Sequence, residues 1–222
     1  MSITTEIINE ICHKAFPKAS TIEVEVLSLK TMGFSGAGVA ELNIRFDHAS
    51  SRRMFLKHIV IPEPESDGAH GESVSKKIWR DISSYKNEFQ VMHNLFPKMD
   101  ASEPPIQHPT VHYKSAEKTA AGHVFTTLSD SMFAEGWTQV PVLSSAQLDA
   151  SLQWLARFHA MSFGERLSEC ATGLWESGTH LALEKRPANE VEKLPGIWSG
   201  FVKAFAAEHT TFGQDVDTVA AV

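Results

Sequence analysis

Residues 22–46 read IEVEVLSLKTMGFSGAGVAELNIRF. Two stretches of alternating polarity flank a cluster of three glycines, Gly33, Gly36 and Gly38. Ile22, Val24 and Val26 alternate with charge, so residues 22–30 read as a strand. Leu42, Ile44 and Phe46 share one face of a second strand over residues 39–46. Residues 54–61, MFLKHIVI, form a third and strongly apolar strand. Together they predict an antiparallel meander whose first turn is rich in glycine.

The pattern outward from the meander is mixed. Ile7, Ile8, Ile11 and Ala15 give a short helical stripe that ends near Pro17. Residues 62–75, PEPESDGAHGESVS, read as a solvated loop. Ile78, Ile82, Tyr85, Phe89, Met92 and Phe96 then recur at helical spacing, which predicts a long helix ended with the help of Pro97. Residues 110–114 and 122–128 read as two further strands joined by the polar stretch SAEKTAA. Residues 129–143 read as loop. Ser144 and Gln147 have capping-box spacing, so a second long helix, 144–163, starts there with Leu148, Leu152, Leu155 and His159 on its inner face. GFVKAFAAEH, residues 200–209, is also helical in pattern. Strands and helices segregated in this order predict an α+β protein in two parts, 1–128 and 129–222.

The bulk composition narrows the partners. A chain of 222 residues with 42% apolar content can bury a core, and a formal charge of −7 argues against nucleic acid, which calls for a basic face. Cys12 and Cys170, the only cysteines, form no disulfide framework and fit a reducing, cytoplasmic setting. No apolar run approaches the roughly 20 residues that cross a bilayer, so no membrane partner is expected. His108 and His112 are four apart, but Pro109 between them spoils a helical ligand pair.

The glycine cluster can be set against four chemistries. Gly33 and Gly38 have Walker spacing, but Val39 and Ala40 replace the lysine and hydroxyl. Gly36 and Gly38 start a dinucleotide fingerprint, but Glu41 stands at its third glycine and a strand follows. Gly33 and Ser35 start a nucleophile elbow, but Ala37 occupies the last glycine position. A glycine-rich hairpin covering ATP phosphates suits the strand–turn–strand context. That design needs a lysine on the third strand and an acid on the next helix. Lys57 shares a strand face with Phe55, Ile59 and Ile61, and Glu88 flanks the apolar stripe of the long helix. Each feature also has a plain structural reading: a loose hairpin, a snorkelling lysine, a solvated helical acid. Their occurrence in the required order favours the phosphate chemistry.

GFSGAGVAELNIRF, FLKHIV, SYKNEFQVMHNLFPKM and LQWLARFHAMSFG, in that order, resemble the choline-kinase-like, or ecdysteroid-kinase-like, group, a relative of the aminoglycoside phosphotransferases. The resemblance runs from about residue 20 onward. It implies a protein-kinase-like fold, with 1–128 as an antiparallel-sheet nucleotide lobe and 129–222 as an incomplete helical lobe. It implies ATP with magnesium as donor and a small-molecule hydroxyl as acceptor. Gly33, Gly36 and Gly38 would cover the phosphates, Lys57 would contact the α- and β-phosphates, and Glu88 would hold Lys57. Backbone around Thr127 and Leu128 would meet the adenine, and His159 would be a packing residue.

One departure is large. The group's H-G-D…N loop and later D-x-D have no counterpart: His209 precedes Thr210 and Thr211, and Asp215 and Asp217 follow no catalytic loop. Phosphoryl transfer needs a group that orients the hydroxyl and carboxylates for magnesium. Two readings follow. The chain is the N-terminal part of a small-molecule kinase, inactive by itself, or it is a complete non-catalytic module that binds nucleotide or a partner. An unrelated α+β binding protein is a third. An incomplete helical lobe would also leave apolar surface on helix 144–163 open to self-association.

Overall fold

The computed structural model describes residues 3–32, 37–47, 50–63, 71–163, 166–176 and 192–204. Gly33, Gly36, residues 205–209 and the Asp215/Asp217 pair lie outside the described residues. The chain divides into two compact units, Met1–Glu63 with Asp81–Gly178, and Pro64–Arg80 with Thr179–Val222. The boundary expected at residue 128 lies inside the first unit.

The first unit is built on a five-stranded sheet, antiparallel throughout, in the order β1-β2-β3-β5-β4. Its strands are β1 (Ile22–Met32), β2 (Ala37–Phe46), β3 (Ser50–Ile61), β4 (Val111–Thr119) and β5 (Gly122–Asp130). The α+β class and the first meander stand as the alternation implies. β3 starts four residues earlier than its apolar run, because Ser50–Arg53 pair with Asn43–Phe46 on an exposed end where polar residues suffice. β4 runs on through Ser115–Thr119, which the sequence suggests is a turn. Only residues 120 and 121 turn, followed by Gly122 at φ 116°, where an added Cβ would strike the Ile61 carbonyl oxygen. As an edge strand with solvent beside it, β4 needs no apolar alternation.

Helix α1 (Thr5–Ala15) closes one side of the sheet. Thr4 caps it by accepting from the Ile7 N–H, and Glu6 and Lys14 sit at the ends that the helix dipole favours. Its Ile8, Ile11 and Cys12 pack on Ala40, Leu42, Ile44, Met54, Leu56 and Leu128. This interior is dry, and burial pushes the Cys12 thiol up to about 11.

Helix α2 (Gly71–Gln90) begins within the stretch read as loop. Its second half, from Asp81, belongs to the first unit and lies on the other side of the sheet, where Tyr85 and Phe89 meet Phe125 with ring centroids 5.5 and 5.8 Å apart. The helix does not stop at Pro97. A π-turn over Val91–Leu95 resets the hydrogen-bond register, and Pro97 sits in the first turn of α3 (Phe96–Asp100), where its missing N–H costs nothing.

After β5 come a 3₁₀ turn (Met132–Glu135), closed by Gly136 at φ 87°, and α4 (Ser145–Met161). Both halves of the Ser144/Gln147 capping box are formed. The inner face of α4 differs from expectation. Trp154, Phe158 and Met161 pack on Leu95, Met99, Ile106 and Cys170, and the Trp154 Nε1–H donates to the Gln107 carbonyl at 3.0 Å. That anchor turns Leu148, Leu152 and Leu155 outward, at 46%, 53% and 42% exposure. His159 is likewise exposed, tilted against Phe158 rather than packed in a core. A short helix α5 (Arg166–Ala171) follows.

In the second unit the described residues are 71–80 of α2 and 192–204, which hold α6 (Leu194–Ala204), on which Trp198 and Phe201 stack at 5.5 Å. Among the described residues no helix is long and apolar enough to cross a membrane.

Candidate functional site

Alternation along β3 sends Leu56 to the α1 side and Lys57 to the α2 side. Lys57 stands opposite Val39 on β2 and Thr127 on β5. The contacts of Tyr85 and Phe89 with Phe125 fix the rotation of α2, and Glu88, beside Phe89, then points at the sheet. The Lys57 Nζ donates to Glu88 Oε2 at 2.6 Å. The Tyr85 ring centroid lies 5.0 Å from the same nitrogen, close enough for its π-face to favour the cation. The Lys57 side chain is 25% exposed and that of Glu88 33%. Glu88 engages one of three ammonium protons, and the remaining exposure leaves a path to an anionic ligand.

Three contacts that sequence reading missed hold this arrangement. The Trp175 N–H donates to Asn87 Oδ1 at 2.9 Å, and Asn94 Nδ2 donates to the Thr172 carbonyl at 2.7 Å. Gly173, at φ 74°, lets the chain turn against Gln90. Segment 172–175 is thereby tied to the helix that carries Glu88. Asn87 beside an acid was the available signal, but nothing in the sequence names Trp175 as its partner. The same sheet face carries a second ion pair, Arg53 to Glu41 at 2.7 Å, and the buried Ser131 hydroxyl donates to Glu41 at 3.1 Å.

The other expected positions fall as follows. Gly38 lies within β2 opposite His58, and an added Cβ would sit 2.6 Å from Ile3 Cδ1, on the α1 side. Its missing side chain is therefore accounted for by packing of Ile3. Thr127 faces the same side as Lys57, whereas the Leu128 side chain is fully buried in the α1-side core. Strand β5 is interior: Thr127 pairs with both Lys57 and Lys114, and Leu128 with Leu56 and Tyr113. Ladder pairing on both flanks commits their backbone groups, so an adenine edge would have to be met beyond Asp130, where the strand ends.

Two histidines read as ligand candidates are used locally. His108 Nε2 approaches Asp100 at 3.1 Å and His112 Nε2 approaches Asp130 at 2.8 Å. Among the described residues no group of three or more His, Cys, Asp or Glu side chains is placed to hold a metal. His58, buried beside the Lys57 strand position but on the α1 side, pairs its Nδ1 with Thr126 Oγ1 at 2.9 Å, and desolvation holds its pKa below the ordinary value.

The chain matches no protein-family model, no curated protein and no solved structure.

Proposed function

We propose that this chain is the nucleotide-binding part of an ATP-dependent kinase that phosphorylates a small-molecule hydroxyl, of the choline-kinase-like group, with a protein-kinase-like fold. The observation that carries the reading is the 2.6 Å pair between Lys57 on the third strand and Glu88 on the helix between the third and fourth strands. The strand order supports it, because it sets that pair beside β2, which the glycine-rich sequence precedes. In this reading Lys57 draws charge from the α- and β-phosphates, Glu88 holds the ammonium in place, and Tyr85 supports it from its ring face. Magnesium would enter with the nucleotide and offset phosphate charge. The 222 residues contain no H-G-D loop to orient an acceptor, so they account for binding and not for transfer.

Thermal unfolding with and without Mg-ATP tests this, since a ligand that selects the native state raises its stability. ATP should raise the Tm of the wild type and not that of Glu88→Gln, and no ATP hydrolysis or transfer should accompany it. A folded wild type indifferent to ATP removes the reading.

One observation favours a second reading. Gly38 is explained by Ile3 packing, without a phosphate. Lys57 and Glu88 would then fasten α2 to the sheet in a non-catalytic interaction module. The same experiment separates the two: in the module, ATP changes nothing.

A further inference from the structure

Strand β1 forms one edge of the sheet, with β2 as its sole hydrogen-bonded neighbour among the described residues. Ile22 and Val24 pack on the α1-side core, but Val26, Leu27 and Leu29 are 39%, 41% and 49% exposed. The opposite edge, β4, carries as many charges, Lys114, Glu117 and Lys118, the last paired with Glu63 at 2.7 Å, but its large apolar residues, Val111 and Tyr113, are partly buried rather than exposed.

The register of β1 explains how its open edge could be used. Val24, Val26 and Leu29 stand opposite Ile44, Leu42 and Ala40 on the α1 side. Glu23, Glu25, Ser28 and Lys30 stand opposite Arg45, Asn43, Glu41 and Val39 on the Lys57 side. A bulge between Val26 and Ser28 resets the alternation. Because of it, residues 23–30, EVEVLSLK, read the same from both ends: polar, apolar, polar, apolar, then apolar, polar, apolar, polar. A two-fold axis between Val26 and Leu27 places Glu23 opposite Lys30 of a second copy, Val24 opposite Leu29, and Glu25 opposite Ser28. Each of these pairs lies on one side of the sheet, and no like charges meet. Isologous interfaces require this kind of self-complementarity.

We propose that β1 pairs antiparallel with β1 of a second copy of this chain, joining two sheets across a two-fold axis at Val26/Leu27. The occupant is a second copy rather than another extended peptide because the polar–apolar order of residues 23–30 and the charge order, Glu23 at one end and Lys30 at the other, both complement themselves in that register. The inference does not depend on nucleotide binding.

Sedimentation of the full chain over a concentration series tests it. The wild type should move from its 24.5 kDa monomer mass toward twice that value. Lys30→Glu sets like charges opposite at both ends and should weaken association by about tenfold. Glu23→Lys combined with Lys30→Glu restores opposite charges and should recover it. Both sites are exposed, and matching far-UV spectra and melting curves exclude misfolding as a cause. Leu152→Lys on α4 should leave association unchanged. A monomer at every concentration, a dimer indifferent to Lys30→Glu, or a dimer abolished by Leu152→Lys would each overturn the proposal.

Discussion

On the α1 side of the sheet, Leu42, Ile44, Met54, Leu56 and Leu128 are wholly buried. On the other side, Lys57 and Glu41 each hold a charged partner and keep part of their surface in water. The same strands build both sides, because successive residues of a strand point opposite ways. The dry side carries stability: apolar area removed from water contributes roughly 25 cal/mol per Å². The Lys57 side shares in that through Ile59, Ile61 and Phe125, which are also buried, but its ion pairs must offset the desolvation of their own charges. The candidate site is assigned to that partly exposed, ion-paired part of the face.

The largest effect should come from the dry side. Leu56→Ala removes a fully buried side chain between Ala40 and Leu128. It should cost about 2–5 kcal/mol in urea unfolding and leave the ATP affinity of the folded fraction unchanged. A cost well under 1 kcal/mol would break the contrast between the faces.

Lys57→Met should do the reverse. On the proposed reading, losing its charge should weaken ATP binding by about ten- to a hundredfold in calorimetry. Glu88 keeps a third of its side-chain surface exposed and can rehydrate, so the unfolding free energy should fall by only about 1 kcal/mol or less.

A smaller effect sits at His58, on the dry side and neutral when buried. Its folded pKa lies below the ordinary histidine value of 6.5 because burial penalises the imidazolium. The unfolded chain therefore binds the proton more readily. The stability linked to His58 is complete above about pH 6.5 and is lost as pH falls toward its folded pKa. His58→Gln should flatten that acid limb of the stability curve, and an unchanged limb would remove His58 as its source. The smallest effect belongs to Leu152→Ala on the open side of α4, which should change stability by no more than about 0.5 kcal/mol.

Much of the sheet was legible because alternation is a local property. The sequence placed Lys57 on the face away from Leu56 and set Glu88 within reach, and the structure brings the two side chains together. The Ser144 cap was legible for the same reason, since both of its partners lie within four residues. What was not legible depends on distant partners. The inner face of α4 is chosen by Trp154 bonding to Gln107, not by the leucine stripe. The position of Pro97 is permitted by a π-turn that no periodicity announces. Nothing in the sequence names Ile3 as the residue that fills the space beside Gly38. The sequence reading ends this strand at Leu128, but pairing with β3, Met54 opposite Asp130, carries it to Asp130.

The most direct measurement is an ATP titration of the wild type and of Lys57→Met by calorimetry, at matched folded fraction in magnesium buffer. A single site in the wild type that weakens at least tenfold in the variant is the expected result. Equal affinity in the two proteins, or a well-folded wild type that takes up no nucleotide, would contradict the assignment of the Lys57 face to ATP.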